Sequence, residues 1–76
     1  MLDRIIRKQL GYLLWLERSF QEKHIKWVAD KTKVSILSVD FAEHGKGHFN
    51  WKLYEKMLAL YGKEVQVTLV DKGKVE

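Results

Sequence analysis

A mostly α-helical domain, a compact bundle of four to five helices ending in one β-strand, is the fold class this sequence predicts. Three observations carry that expectation. Apolar residues recur at three- and four-residue spacing over most of the chain. Residues suited to capping helices stand between the periodic stretches. Only the stretch from Val65 to Val70 alternates with a period of two. Seventy-six residues make one domain, 1–76, near the lower limit for a self-supporting core. The chain contains no Cys, so no disulfide or thiolate metal site staples it. Stability is therefore expected from helix packing, with a partner subunit as the available supplement.

The first helix is expected from Leu2 to about Glu22. Ile6, Leu10, Leu13, Glu17 and Phe20 form one helical stripe, while Ile5, Tyr12 and Leu16 form a second on a different face. Two apolar faces imply either a helix wrapped on both sides by its own small domain or a second packing partner. Arg4, Arg7 and Lys8 precede the apolar run Tyr12 to Leu16, a loose signal-peptide pattern. That run is too short, and Glu17 and Arg18 follow it where small residues would be needed, so no targeting segment is expected. No stretch approaches the roughly 20 apolar residues of a membrane span.

A short helix is expected over His24 to Lys31, with Val28 and Ala29 inward. Ser35 then serves as the N-cap of a helix to about Glu43, its hydroxyl accepting from a free amide of the first turn. Val39 and Ala42 face inward there. His44-Gly45-Lys46-Gly47-His48 reads as a loop, with Gly45 ending the helix in a left-handed conformation. Asn50 caps a fourth helix to about Tyr61, whose apolar positions are Leu53, Met57, Leu58 and Leu60, and Gly62 closes it. In the stretch 64–70, Val65, Val67 and Leu69 alternate with Gln66, Thr68 and Val70. A lone strand leaves backbone groups unpaired. The economical partner is the same strand of a second copy, antiparallel about a two-fold axis. The polar stretch 71–76 is expected to be a mobile tail.

Charge narrows the function classes. Lys and Arg number 14 against 10 Asp and Glu, a net charge of +4 that suits a polyanion. The absence of Cys fits a cytoplasmic protein. His24, His44 and His48 offer no ligand pair at helical spacing, so neither metal nor cofactor is expected. No nucleophile–base pair, phosphate loop or paired carboxylates can be argued, and the chain is not read as an enzyme. Trp15, Trp27 and Trp51 are simplest as core or interface aromatics.

The segment Val28-Ala29-Asp30-Lys31-Thr32-Lys33-Val34-Ser35, then Val39 and Glu43-His44-Gly45-Lys46, resembles the Cro/Xre-type (lambda-repressor-like) helix-turn-helix family. The family pattern runs L-A-x-x-x-G-V-S, then I, then E-x-G-K. The likeness spans about His24 to Gly62, with the helix-turn-helix over 24–43, and Arg18 falls where the family keeps an arginine on its first helix. That helix is thereby better explained as core than as a membrane-surface segment.

The resemblance implies a largely buried ion pair between Arg18 and Glu43, and a helix crossing at Ala29. Lys33 replaces the turn glycine, so a side chain must tolerate positive φ at a cost of about 1 kcal/mol. The implied function is a sequence-specific, repressor-like regulator that binds double-stranded DNA as a homodimer. Its third helix would enter the major groove, with Ile36, Leu37, Asp40 and Phe41 facing the bases. Lys33, Ser35, His44, Lys46, His48, Asn50 and Lys52 would meet phosphates. Antitoxin relatives of this fold pair a C-terminal strand across subunits, which assigns Val65, Val67 and Leu69 to the dimer. Ile25, however, stands where the family commonly has a phosphate-contacting glutamine. With Ile36, Leu37 and Phe41 it is expected to form an exposed apolar patch, and such patches mark protein interfaces. The alternative reading is thus a protein-interaction module, an antitoxin or phage-type accessory regulator, whose third helix binds another protein.

Overall fold

The computed structural model describes residues 2–48 and 50–71 and forms four helices: α1 (Leu2–Phe20), α2 (Ile25–Thr32), α3 (Ile36–His44) and α4 (Trp51–Leu60). Three begin on a side-chain cap, which satisfies one of the amides a helix start leaves unpaired. Ser35 Oγ accepts from the Ser38 amide at 3.0 Å, and Asn50 Oδ1 from the Leu53 amide at 3.2 Å. His24 is the cap of α2 rather than its first residue, because its Nδ1 accepts from the Lys26 amide at 3.1 Å.

All four helices end by the same device. The amides of Lys23, Val34, Lys46 and Lys63 donate to the carbonyls of Arg18, Ala29, Phe41 and Leu58, each five residues back. This closure needs a left-handed residue just before the donor. Those residues are Glu22, Lys33, Gly45 and Gly62, with φ of 53°, 60°, 65° and 68°. Glycine adopts that conformation freely, whereas Glu22 and Lys33 accept it at a cost of about 1 kcal/mol each. The turn at Glu22 is also why α1 stops at Phe20, short of the expected end.

The core draws Leu10 and Leu14 from α1, Val28 and Ala29 from α2, Val39 and Ala42 from α3, and Leu53, Tyr54 and Met57 from α4, with Tyr61 beyond it. The buried face of α1 corrects the sequence reading. It consists of Leu10, Gly11 and Leu14, while Leu13 and Phe20 are 58% and 80% exposed and Ile6 is also exposed. The reason is backbone contact. α1 crosses α3 at Gly11, where a Cβ would collide with the Ala42 carbonyl oxygen and stand 2.8 Å from that of Glu43. Gly45, at the end of α3, likewise packs on the α1 backbone, where a Cβ would lie 3.0 Å from Lys8 Cα. Tyr54 ties α4 to the same place, its hydroxyl donating to the Ala42 carbonyl at 3.0 Å. Ile25, Trp27 and Val34 pack at the rim of the core.

After α4 the chain continues over 63–71 as an arm with neither helix nor strand, pairing with no strand among the described residues. Val65 is the least exposed apolar residue of this arm; Val67, Leu69 and Val70 stand almost fully in solvent. Of the tail 71–76, only Asp71 is among the described residues. No described helix is long and apolar enough to cross a membrane.

Two substitutions with opposite signs test this packing. Gly11→Ala should destabilise by about 2 kcal/mol, because overpacking at the crossing outweighs the better helix propensity of Ala. Lys33→Gly should stabilise by up to about 1 kcal/mol by relieving the left-handed residue. Urea unfolding checks both. A Gly11→Ala protein as stable as the parent would contradict the close α1–α3 approach.

Candidate nucleic-acid interface

α3 is held from behind by an ion pair. Arg18 Nε donates to Glu43 Oε2 at 2.7 Å and Nη2 to Oε1 at 3.0 Å, a side-on bidentate pair. The third nitrogen, Nη1, donates to the Lys23 carbonyl at 3.1 Å and so reaches the turn after α1. The Glu43 side chain is only 1% exposed. Its hydrogen bond pushes the Arg18 guanidinium further toward the charged form, against the cost of partial burial. Removing one partner of such a pair leaves an uncompensated charge, typically costing about 3–5 kcal/mol.

Behind the pair lies Tyr61. Its hydroxyl is buried with no hydrogen-bond partner among the described residues. Burial pushes its pKa up to about 12, and the nearby Glu43 carboxylate adds to the rise.

With Val39, Ala42 and Glu43 buried, α3 presents Ile36, Leu37, Asp40, Phe41 and His44 on its outer side. Ile36 and Leu37 are 46% and 59% exposed. Asp40 is half-buried, and His44 Nδ1–H turns back to donate to its carbonyl at 2.8 Å, with the Asp40 carboxylate 3.3 Å away. Phe41 does more than face outward. Its ring packs against Gly47, where a Cβ would stand 2.9 Å from Cδ2. Arg7 fastens the same loop from α1, Nη1 donating to the Gly47 carbonyl at 2.7 Å. A cleft results between α3 and the start of α4, lined by Ser38, Phe41, Lys46, His48 and Asn50 over Leu53 and Tyr54.

The cationic and polar residues expected at a phosphate rim are all exposed and border both ends of α3. Lys33 and Ser35 stand before it. His44, Lys46 and His48 follow it, and Asn50 and Lys52 open α4. Three of them are already in use. The Ser35 and Asn50 oxygens serve as caps, and the Ser35 and Ser38 hydroxyls are 2.9 Å apart. Asn50 keeps its amide nitrogen as a donor. His44 keeps Nε2, a donor toward phosphate only in the protonated ring. Ile25 does not join the exposed apolar patch expected of it: it is half-buried against the core. The sequence pattern alone assigns no role here to Arg7. The signal for Arg7 was a cation seven residues before Leu14, on the buried side of α1.

The three tryptophans have their own contacts. Trp27 is half-buried, with Lys23 Nζ 4.6 Å from its ring centroid. Trp15 stacks on Tyr12 at 6.0 Å, and Trp51 lies 6.5 Å from Tyr54. Among the described residues no three His, Cys, Asp or Glu side chains converge as metal ligands do. No protein-family model, curated protein or solved structure compared with the chain matches it.

Tyr61 gives this region a pH signature. Its folded pKa near 12 lies above the ordinary value of 10, so the unfolded chain releases the proton first. The contribution is complete below pH 10 and declines as pH rises toward 12. Tyr61→Phe should therefore lose less stability than the parent between pH 10 and pH 12. Parallel stability–pH curves for the two proteins would show that the hydroxyl is not buried in the folded state.

Proposed function

We propose that the chain is a sequence-specific DNA-binding regulator of the Cro/Xre, lambda-repressor-like helix-turn-helix type, acting as a homodimer. The observation that carries this reading is the presentation of α3. It is a short helix with one side open, fixed from behind by Gly11 and the Arg18–Glu43 pair, and bordered at both ends by exposed lysines. In the proposed complex α3 enters the major groove as the second helix of the motif. Ile36 and Leu37 contact thymine methyls, and Asp40 accepts from the exocyclic amine of cytosine. Phe41 faces the bases beside them and also holds the loop that brings Lys46 and His48 to the backbone, while Lys33 and Lys52 contact phosphates on either side. The net charge of +4 favours that association through counterion release. The arm 64–70, through Val65, Val67 and Leu69, pairs with its copy as a strand and sets the spacing of the two α3 helices.

A second reading draws on one observation, the solvent exposure of Ile36 and Leu37 at the start of α3. In an antitoxin-like or accessory role the same face would dock on another protein.

Binding to duplex DNA over a range of salt concentrations separates the two. Lys46→Ala and Lys52→Ala should weaken binding to every sequence and each flatten the salt slope by about one. Leu37→Ala and Phe41→Ala should alter sequence preference. If all four variants bind DNA as the parent does, the DNA reading fails and the protein-docking reading takes its place.

A further inference from the structure

Lys33, at φ 60°, holds a conformation that glycine would adopt without strain. Its side chain lines an open depression between the end of α2 and the side of α4, together with Lys31, Thr32, Lys56, Ala59 and Leu60. Three of these six residues are lysines, and none is a carboxylate. Among the described residues no ion pair involves Lys31, Lys33, Lys52 or Lys56. Glu55, the acidic neighbour of Lys56 in sequence, lines a different hollow with Trp51 and Lys63. Lys31 complements the negative end of the α2 dipole. Its Nζ lies 5.9 Å from the Trp27 ring centroid, at the limit of a cation–π contact. Lys56 has no such role within the fold: it stands exposed in the middle of α4, one turn after Lys52. A concavity lined by one sign of charge gathers the opposite sign.

We propose that this depression is a second phosphate-binding surface, which carries the backbone of bound duplex DNA beyond the border of α3. Two connections join it to that border. Lys33 belongs to both, and Lys52 and Lys56, four residues apart, share one face of α4. The lysines themselves favour a phosphate backbone. An ammonium is a hydrated point charge without the fork of a guanidinium, suited to a row of anions rather than to one fixed carboxylate. An acidic protein segment would meet the same charges. Only a polyanion already seated at the border of α3, however, reaches the depression without a second binding event. The left-handed Lys33 then has a reason in its position: the strain holds a cation at the junction of the two surfaces. This inference rests on the DNA binding of the proposed function but not on its sequence specificity or its homodimer.

The test is the salt dependence of full-chain binding to a random-sequence duplex, with circular dichroism as the folding control. Lys31→Gln combined with Lys56→Gln keeps both aliphatic stems and removes two exposed charges. This double variant should bind about tenfold or more weakly at low salt, and its slope of log K against log salt should flatten by about two. Lys33→Gly should resist urea better than the parent yet flatten the slope by about one. Lys63→Gln, which removes a charge beside Glu17, should leave the slope nearly unchanged. A double variant with the parent slope, or a Lys63→Gln protein that loses as much per charge, overturns the inference. If the slope is kept while polyglutamate binds the parent and not the double variant, the depression belongs to an acidic protein segment and the inference also falls. Should Lys46→Ala and Lys52→Ala flatten the slope when this pair does not, the DNA reading stands and only the inference fails. A parent that binds no duplex removes both.

Discussion

The close approach of α1 and α3 at Gly11 is the constraint on which the other contacts depend. Because the glycine has no side chain, the α1 backbone comes against the Ala42 and Glu43 carbonyls. Only at that separation can Arg18, seven residues on and on the same side of α1, meet the Glu43 carboxylate with two nitrogens. The same closeness lets Arg7, four residues before Gly11, reach the Gly47 carbonyl. One face of α1 therefore fixes both the helix α3 and the loop after it. Burial of apolar surface stabilises the domain, but these polar contacts determine which way α3 points.

Corners in this chain are made without proline. Four repetitions of one helix-ending motif turn the chain, and the left-handed residue in each sets the direction of exit. Val34 shows the coupling: its amide closes α2 while its side chain packs on the core, so the turn to α3 and the packing beneath it are one unit. Holding α3 in this way would suit the proposed groove-reading role, since contacts to base edges depend on placement within a fraction of a hydrogen bond's length.

Much of the α2–α4 region was legible because its signals are local. Ser35 and Asn50 are capping types at the right distance before apolar runs, and Val28, Ala29, Val39 and Ala42 fall at helical spacing. Lys33 was legible only through the register of the resembling motif; Glu22, in the same conformation, had no motif to mark it. α1 misled for a physical reason. Its buried side holds a glycine and two arginines, whose partners are backbone carbonyls and a carboxylate of α3 and its loop. Counting apolar residues therefore selects the opposite side, where Leu13 and Phe20 lie. Ile25 was misplaced similarly, since the rim of a small core covers residues that a motif would leave outside. The strand pattern of 64–70 is a property of side chains, whereas a ladder needs a second backbone that one copy does not contain.

In the proposed complex a two-fold axis would repeat the fixed α3, its outward apolar start and its basic border. Such a complex would read inverted repeats, and apolar residues at its tip would favour thymine-containing steps. Selection of bound sequences from a random duplex pool tests this most directly. The expected outcome is enrichment of an inverted repeat with half-sites about one helical turn, roughly 34 Å, apart. A pool that emerges unenriched, although the protein is folded and dimeric, would contradict it.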